Sequence, residues 1–158
     1  MSGPAVLVVG VGNPLRGDDG AGRAVARLVR ARAIPAVDVI EQDGDAASLV
    51  DAWRQAGAVI LVDALQSGAE PGSIRRFEVS HRPLPGRMFG PSTHAFGLFD
   101  AVELARALNQ LPPVLIVYGI EGQSFAMGGG LSARIQAAVP ELAARVADEA
   151  LALRAPAS

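Results

Sequence analysis

The sequence predicts an α/β protein, a three-layer α/β/α sandwich around a mostly parallel, twisted sheet of about five strands. Short continuous apolar runs at Ala5–Val9, Ala58–Val62 and Val114–Tyr118 read as strands covered on both faces, as parallel strands are. Between such runs lie segments whose apolar residues recur at helical spacing, and alternating strands and helices build this kind of sandwich. With 158 residues, half of them apolar and 19% charged, the chain reads as one domain over residues 1–158 with a single sizeable core.

Each element can be justified in turn. Ala5–Val9 opens the sheet, and the glycine-rich stretch from Gly10 to Gly22 turns the chain from strand to helix. In the helix that follows, Ala21, Val25, Leu28 and Val29 form an apolar face, with Arg23, Arg27 and Arg30 on the other side. Asp18 or Asp19 is expected to cap its start, Arg30 and Arg32 suit its C-terminal dipole, and Pro35 ends it. Val37–Glu41 alternates weakly as a second strand, and Gln42–Asp45 turns into a helix over about Ala46–Gln55. The third strand, Ala58–Val62, ends in Asp63. After the turn Gly68–Gly72, the more polar Ile74–Val79 suits a sheet edge. His81–Ser92 is rich in Pro, Gly and Arg and reads as a long loop. Ser92 or Thr93 can cap a helix to about Leu108, with Leu98, Val102, Ala105 and Leu108 inward. Pro112 and Pro113 precede the last strand, Glu121–Gly130 is a second loop, and Leu131–Leu153 is helical, with Pro140 read as the first residue of a new helix.

Composition excludes whole classes of chemistry. A net charge of −2 argues against a general nucleic-acid binder. No apolar run approaches the roughly 20 residues of a membrane span. The opening Met1-Ser2-Gly3-Pro4 lacks the basic segment of a secretion signal, so a cytoplasmic protein, and a monomer, is expected. With no cysteine, thiol nucleophiles and thiolate metal sites are removed. All 14 basic residues are arginine, which removes a phosphate-loop lysine and any Schiff base. His81 and His94 are the only histidines, so three-histidine metal sites within one chain are impossible.

Three kinds of site remain to be weighed. Gly10-x-Gly12 after a strand begins a dinucleotide fingerprint, but position 15 is Leu15 where a third glycine is needed, and Pro14 deletes an N–H from the cradle. A serine triad finds no Gly-x-Ser-x-Gly elbow, and Ser92 beside His94 is more simply a cap. A carboxylate–histidine metal site would draw on Asp19 after strand one, Asp63 after strand three and His94 on the loop entering a later helix. Two hard oxygen ligands with one imidazole suit a borderline divalent ion such as zinc or nickel. Each residue also has a structural reading: Asp18 and Asp19 as caps, Asp63 as a turn former, His94 as a hydrogen-bonded structural residue. Asp43, Asp45 and Glu121 fall where strand-end loops gather, as supporting groups or as surface. His81, between Ser80 and Arg82, reads as a solvated side chain.

Taken together, Gly10-Val-Gly-Asn-Pro-Leu-Arg-Gly-Asp-Asp-Gly-Ala-Gly22, Val62-Asp63-Ala64, Ser92-Thr-His-Ala-Phe-Gly-Leu98 and Tyr118-Gly-Ile-Glu121 resemble the hydrogenase maturation proteases. That family trims the C-terminus of nickel hydrogenase large subunits. The resemblance runs along nearly the whole chain in order, to Gly130-Leu131-Ser132 before the last helix. It implies that Asp19, Asp63 and His94 are the catalytic and metal-contacting groups, and that Asn13, Asp43 and Glu121 are substrate contacts. It also implies that the partner is a large-subunit precursor and that nickel arrives seated in that substrate, with another divalent ion able to take its place in the isolated protein. Where many members carry Asp-Gly-Gly-Thr after the second strand, this chain has Glu41-Gln42-Asp43-Gly44, and it has Gly122 where a proline is commoner. The readings left beside this one are a Rossmann-like nucleotide-binding module and a non-catalytic nickel or large-subunit chaperone.

Overall fold

A computed structural model describes residues 5–84 and 98–154. Five strands, β1 (Val6–Val11), β2 (Val37–Gln42), β3 (Ala58–Leu65), β4 (Ile74–Glu78) and β5 (Val114–Glu121), form one sheet in the order β2-β1-β3-β5-β4. All pairings are parallel except that of β4 with β5. The α-helices among the described residues are α1 (Ala21–Ala31), α2 (Ala46–Trp53), α3 (Leu98–Ala107) and α4 (Ala133–Arg154).

The layers follow from the two-residue period of the strands. Val6 and Val8 of β1, with Ile60, Val62, Ile116 and Tyr118, face a core made with Val25 and Val29 of α1 and Ile135, Leu142 and Val146 of α4. Leu7, Val9 and Val11, with Val59, Leu61, Leu115 and Val117, face Leu49 and Trp53 of α2 and Val102 of α3. The expected α/β/α sandwich is therefore present, with β1, β3 and β5 apolar on both sides. β4 lies at one edge and is largely exposed, as its polarity suggests; the weakly alternating β2 forms the other edge.

Several boundaries differ from the sequence expectation. β3 runs two residues past Asp63 because Asp63 to Leu65 stay in register with Gly119 to Glu121 of β5, and both strands are longer than their apolar runs. α4 is continuous through Pro140: Ile135, Val139, Leu142, Ala143, Val146, Ala147 and Ala150 keep one buried stripe, and that packing outweighs one lost backbone hydrogen bond. In α1, Gly22 and Ala26 are buried while Leu28 is exposed; in α3, Ala101 is buried, and Leu108 stands exposed beyond the helix end. The expected caps at Ser92 and Thr93 lie outside the described residues. Among the described residues no helix is long and apolar enough to cross a membrane.

Candidate active site

β1 leads through α1 to β2 on one side, whereas β3 lies on the other side of β1. The carboxyl ends of β1 and β3 therefore flank a topological switch point, the crevice where open α/β sheets hold their ligands. The Gly10–Gly22 stretch covers that crevice. α1 sits so low over it that a Cβ on Gly22 would lie 2.3 Å from the Val62 carbonyl oxygen and 2.6 Å from that of Val11. Gly12, at φ +141°, lets the chain turn back against Asp19, whose carbonyl oxygen would lie 1.9 Å from an added Cβ.

Residues Gly17–Gly20 form a single 3-10 turn, and its two acids part company. Neither caps α1: the residue before that helix is Gly20, and no side chain accepts its first N–H groups. Asp18 is fully buried and accepts from the N–H groups of Gln123 (2.8 Å), Ser124 (2.9 Å) and Ser132 (2.6 Å) and from the Ser132 hydroxyl (2.7 Å). Burial pushes its carboxyl up, but the donors from Ser124, Ser132 and Gln123 together hold it below the ordinary value. Asp18 thus ties the glycine turn to the β5–α4 loop.

Asp19 accepts a single backbone N–H, from Asn13 at 2.8 Å. That N–H, which a phosphate would need, is already taken, which weighs against the nucleotide reading. Asp63 lies on β3 one residue beyond Val62, the partner of Gly10, and accepts from the Ala64 N–H at 2.7 Å. Both carboxylates are buried. Burial pushes Asp63 well above the usual carboxylate range, the Asp19 charge pushes it the same way, and the Ala64 N–H only partly opposes them. Burial also raises Asp19, against the Asn13 N–H and the charges of Arg16 and Arg23. The two acids form one interacting pair, in which burial and like charge both favour keeping a proton.

The remaining candidates are placed as follows. Asn13 stands at the turn, its Oδ1 accepting the Leu15 N–H at 2.9 Å. Asp43 is exposed and paired with Arg23, whose Nε also donates to the Gly12 carbonyl at 2.7 Å. Sequence spacing put Arg23 on a solvated helix face; only the fold shows that it braces the turn. Glu121 is buried, with both carboxylate oxygens taken: Oε1 accepts the Ser67 hydroxyl at 2.6 Å, and Oε2 accepts the Ser67 and Gly68 N–H groups at 2.9 and 3.2 Å. Through these bonds it clasps the β3–β4 turn. Asp45 caps α2 through the Ser48 N–H at 3.0 Å. His94 lies outside the described residues, and among the described ones no group of three or more His, Cys, Asp or Glu side chains could hold a metal ion.

Comparison with known proteins decides the family. Residues 23–149 match the model described as hydrogenase maturation protease. The chain belongs to this family. The match to the family model begins at Arg23, just after the glycine turn, and includes Asp63. The hydrogenase expression/formation protein HupD of Thiocapsa roseopersicina is 33% identical over 125 residues, covering 76% of this chain and 55% of that protein. A putative hydrogenase maturation protease of Methanocaldococcus jannaschii is 32% identical over 145 residues, covering 85% of this chain and 88% of the relative. The crystal structure of a hydrogenase 2 maturation peptidase from a Thaumarchaeota archaeon matches with a TM-score of 0.67 at 26% identity, over 94% of this chain and 98% of that one. The maturation-protease fold therefore extends over nearly the whole chain, and the carboxylate pair is its candidate active site.

Proposed function

We propose that this chain is an endopeptidase that removes the C-terminal extension of a hydrogenase large-subunit precursor already carrying nickel. Asp19, Asp63 and His94 meet the ion, and Asn13 and the loop bearing Asp43 contact the precursor. The observation that most supports this reading is the buried Asp19–Asp63 pair at the switch point, each acid raised by burial and Asp63 further by its neighbour's charge. Two close carboxylates repel each other in a poorly solvated crevice, and a divalent cation relieves that repulsion. Oxygen donors with one imidazole fit nickel, and in the isolated protein another divalent ion of similar preference can occupy the same ligands.

The chain has no cysteine and no lysine, and of the described serines at this rim the Ser132 hydroxyl donates to Asp18, while the Ser124 hydroxyl oxygen accepts the Ala126 N–H at 3.4 Å. Water is the nucleophile this leaves. An interacting acid pair that holds one proton supplies both functions the hydrolysis needs: an ionised carboxylate to receive a proton from water, and a protonated one to deliver a proton to the departing amine.

The test incubates the protein with nickel-loaded and nickel-free precursor and reads precursor mass. Shortening of the nickel-loaded form alone is expected, and it disappears in an Asp19→Ala, His94→Ala double variant. Normal cleavage by that variant overturns the assignment. A complex that forms while the precursor keeps its full length makes the protein a chaperone instead.

A further inference from the structure

Arg16 is a cation at this rim that the hydrolysis described above does not use. It lies in the glycine turn three residues before Asp19, and its carbonyl accepts the Asp19 N–H at 3.1 Å. Its own N–H donates to the Asn13 carbonyl at 3.1 Å, so the backbone on both sides of it is fixed. The side chain is not. Its Nε is shielded from water and has no hydrogen-bond partner among the described residues. Nearby Arg23, Arg27 and Arg30, by contrast, each bind Asp43 or Glu41. The Arg16 charge also acts on Asp19, whose carboxyl it draws down against burial.

A buried donor left unsatisfied costs about 1–3 kcal/mol, and native proteins carry few of them. Here the orphan donor belongs to a permanent cation three residues before the buried Asp19, in a turn whose Asn13, Leu15, Arg16, Asp18 and Asp19 N–H groups are all bonded within the protein. A partner from outside the chain would satisfy it. A peptide carbonyl oxygen fits it: neutral in the ground state, it becomes an anion as water adds, and a preorganised donor in a poorly solvated site stabilises that change strongly.

We propose that Arg16 binds the carbonyl oxygen of the peptide bond that is cut and stabilises the oxyanion formed there; this rests on the endopeptidase reading above. Water oxygen bonds to the carbonyl carbon, and the carbonyl π pair moves onto oxygen, facing Arg16. An ionised carboxylate of the Asp19–Asp63 pair takes the water proton. Collapse of the tetrahedral intermediate returns the pair to the carbonyl, breaks the C–N bond and passes a proton to the leaving amine. One water is consumed, and one carboxyl and one amine terminus are formed.

The test compares wild type, Arg16→Gln and Arg16→Lys on nickel-loaded precursor, measuring kcat, KM and thermal midpoint. Arg16→Gln is expected to lower kcat about 100-fold, the usual loss of one oxyanion donor, with KM and midpoint close to wild type. Arg16→Lys keeps the charge without the fork and recovers part of the rate. Cleavage by Arg16→Gln within about threefold of wild type, a rise in KM with kcat unchanged, or a midpoint loss above roughly 5 °C in both variants overturns the proposal. If the wild type leaves the precursor uncut, the endopeptidase reading falls and this one with it. If wild type and Arg16→Gln cut equally well, only the role of Arg16 falls.

Discussion

Replacing Asp18 by alanine tests whether this carboxylate, and not a helix cap, holds the rim together. Three backbone N–H groups and one hydroxyl lose their shared acceptor. Hydrogen bonds to an ionised acceptor contribute about 1.5–3 kcal/mol each, so a simple sum over four exceeds about 6 kcal/mol. That sum is too large, because Gln123 and Ser124 are exposed residues whose N–H groups water can reach. Removing one partner from a buried charged network costs about 3–5 kcal/mol. The groups stranded here are neutral, which puts the loss near the lower limit, about 3 kcal/mol. For a chain of this size each kcal/mol moves the thermal midpoint by about 2–4 °C, so a fall of roughly 6–12 °C is expected.

The pH dependence of that fall has a definite sign. The folded-state pKa of Asp18 is lowered, so its contribution is present above the unfolded value near about 3.9 and is lost as pH falls through the folded value. Thermal unfolding of wild type and Asp18→Ala by circular dichroism at pH 7 and near pH 2 measures it. The gap is expected to be wide at neutral pH and to narrow in acid. A midpoint within about 2 °C of wild type at pH 7, or a gap that does not change with pH, refutes the clasp.

Two further outcomes follow from the same geometry. Asp63→Asn is expected to raise the thermal midpoint at pH 8 while abolishing cleavage. A folded pKa raised above the unfolded one gives stability that is complete below the unfolded value and lost as pH rises through the folded one, so the gain over wild type vanishes below about pH 4. A midpoint at pH 8 equal to or below wild type contradicts the raised pKa. Gly22→Ala pushes a methyl group against two backbone carbonyls that cannot rotate away, and a loss of about 1–3 kcal/mol is expected. The control is Gly57→Ala, whose Cβ would have 3.5 Å to its nearest neighbour and should leave unfolding unchanged; equal stability of the two variants argues against the close seat of α1.

The sheet was legible in the sequence because burial on both faces leaves continuous apolar runs, and the polar edge strand was legible for the opposite reason. Strand ends were less so. Asp63 interrupts an apolar run yet stays in the ladder, since register with β5 holds its backbone in place whatever its side chain. Pro140 reads as a start signal by local rules, but one lost hydrogen bond is small beside a buried stripe along the whole of α4. Asp19 and Asp63 could be named from spacing because both come just after the apolar runs of parallel strands that the fold brings side by side. Glu121 was named for the same reason, and its use in the β3–β4 turn depends on Ser67, 54 residues away, which no local pattern shows. Arg16 and Arg23 carried no signal of their own in a chain with many arginines.

The adjacent acids of the turn show how one local geometry makes two different chemical groups. A 3-10 helix advances about a third of a turn per residue, so neighbouring side chains leave it in different directions. Asp18 is sent toward the β5–α4 loop, where donors from Gln123, Ser124 and Ser132 keep it ionised. Asp19 is sent toward β3, where one N–H and a second carboxylate leave it under-solvated and prone to hold a proton. The difference lies in what surrounds each carboxylate, not in the residue type. Exchanging the two roles would require the loop and the strand to trade places. The first acid therefore fixes the direction of the second: with Asp18 clamped on one side of the turn, Asp19 is held on the other, at the crevice between β1 and β3.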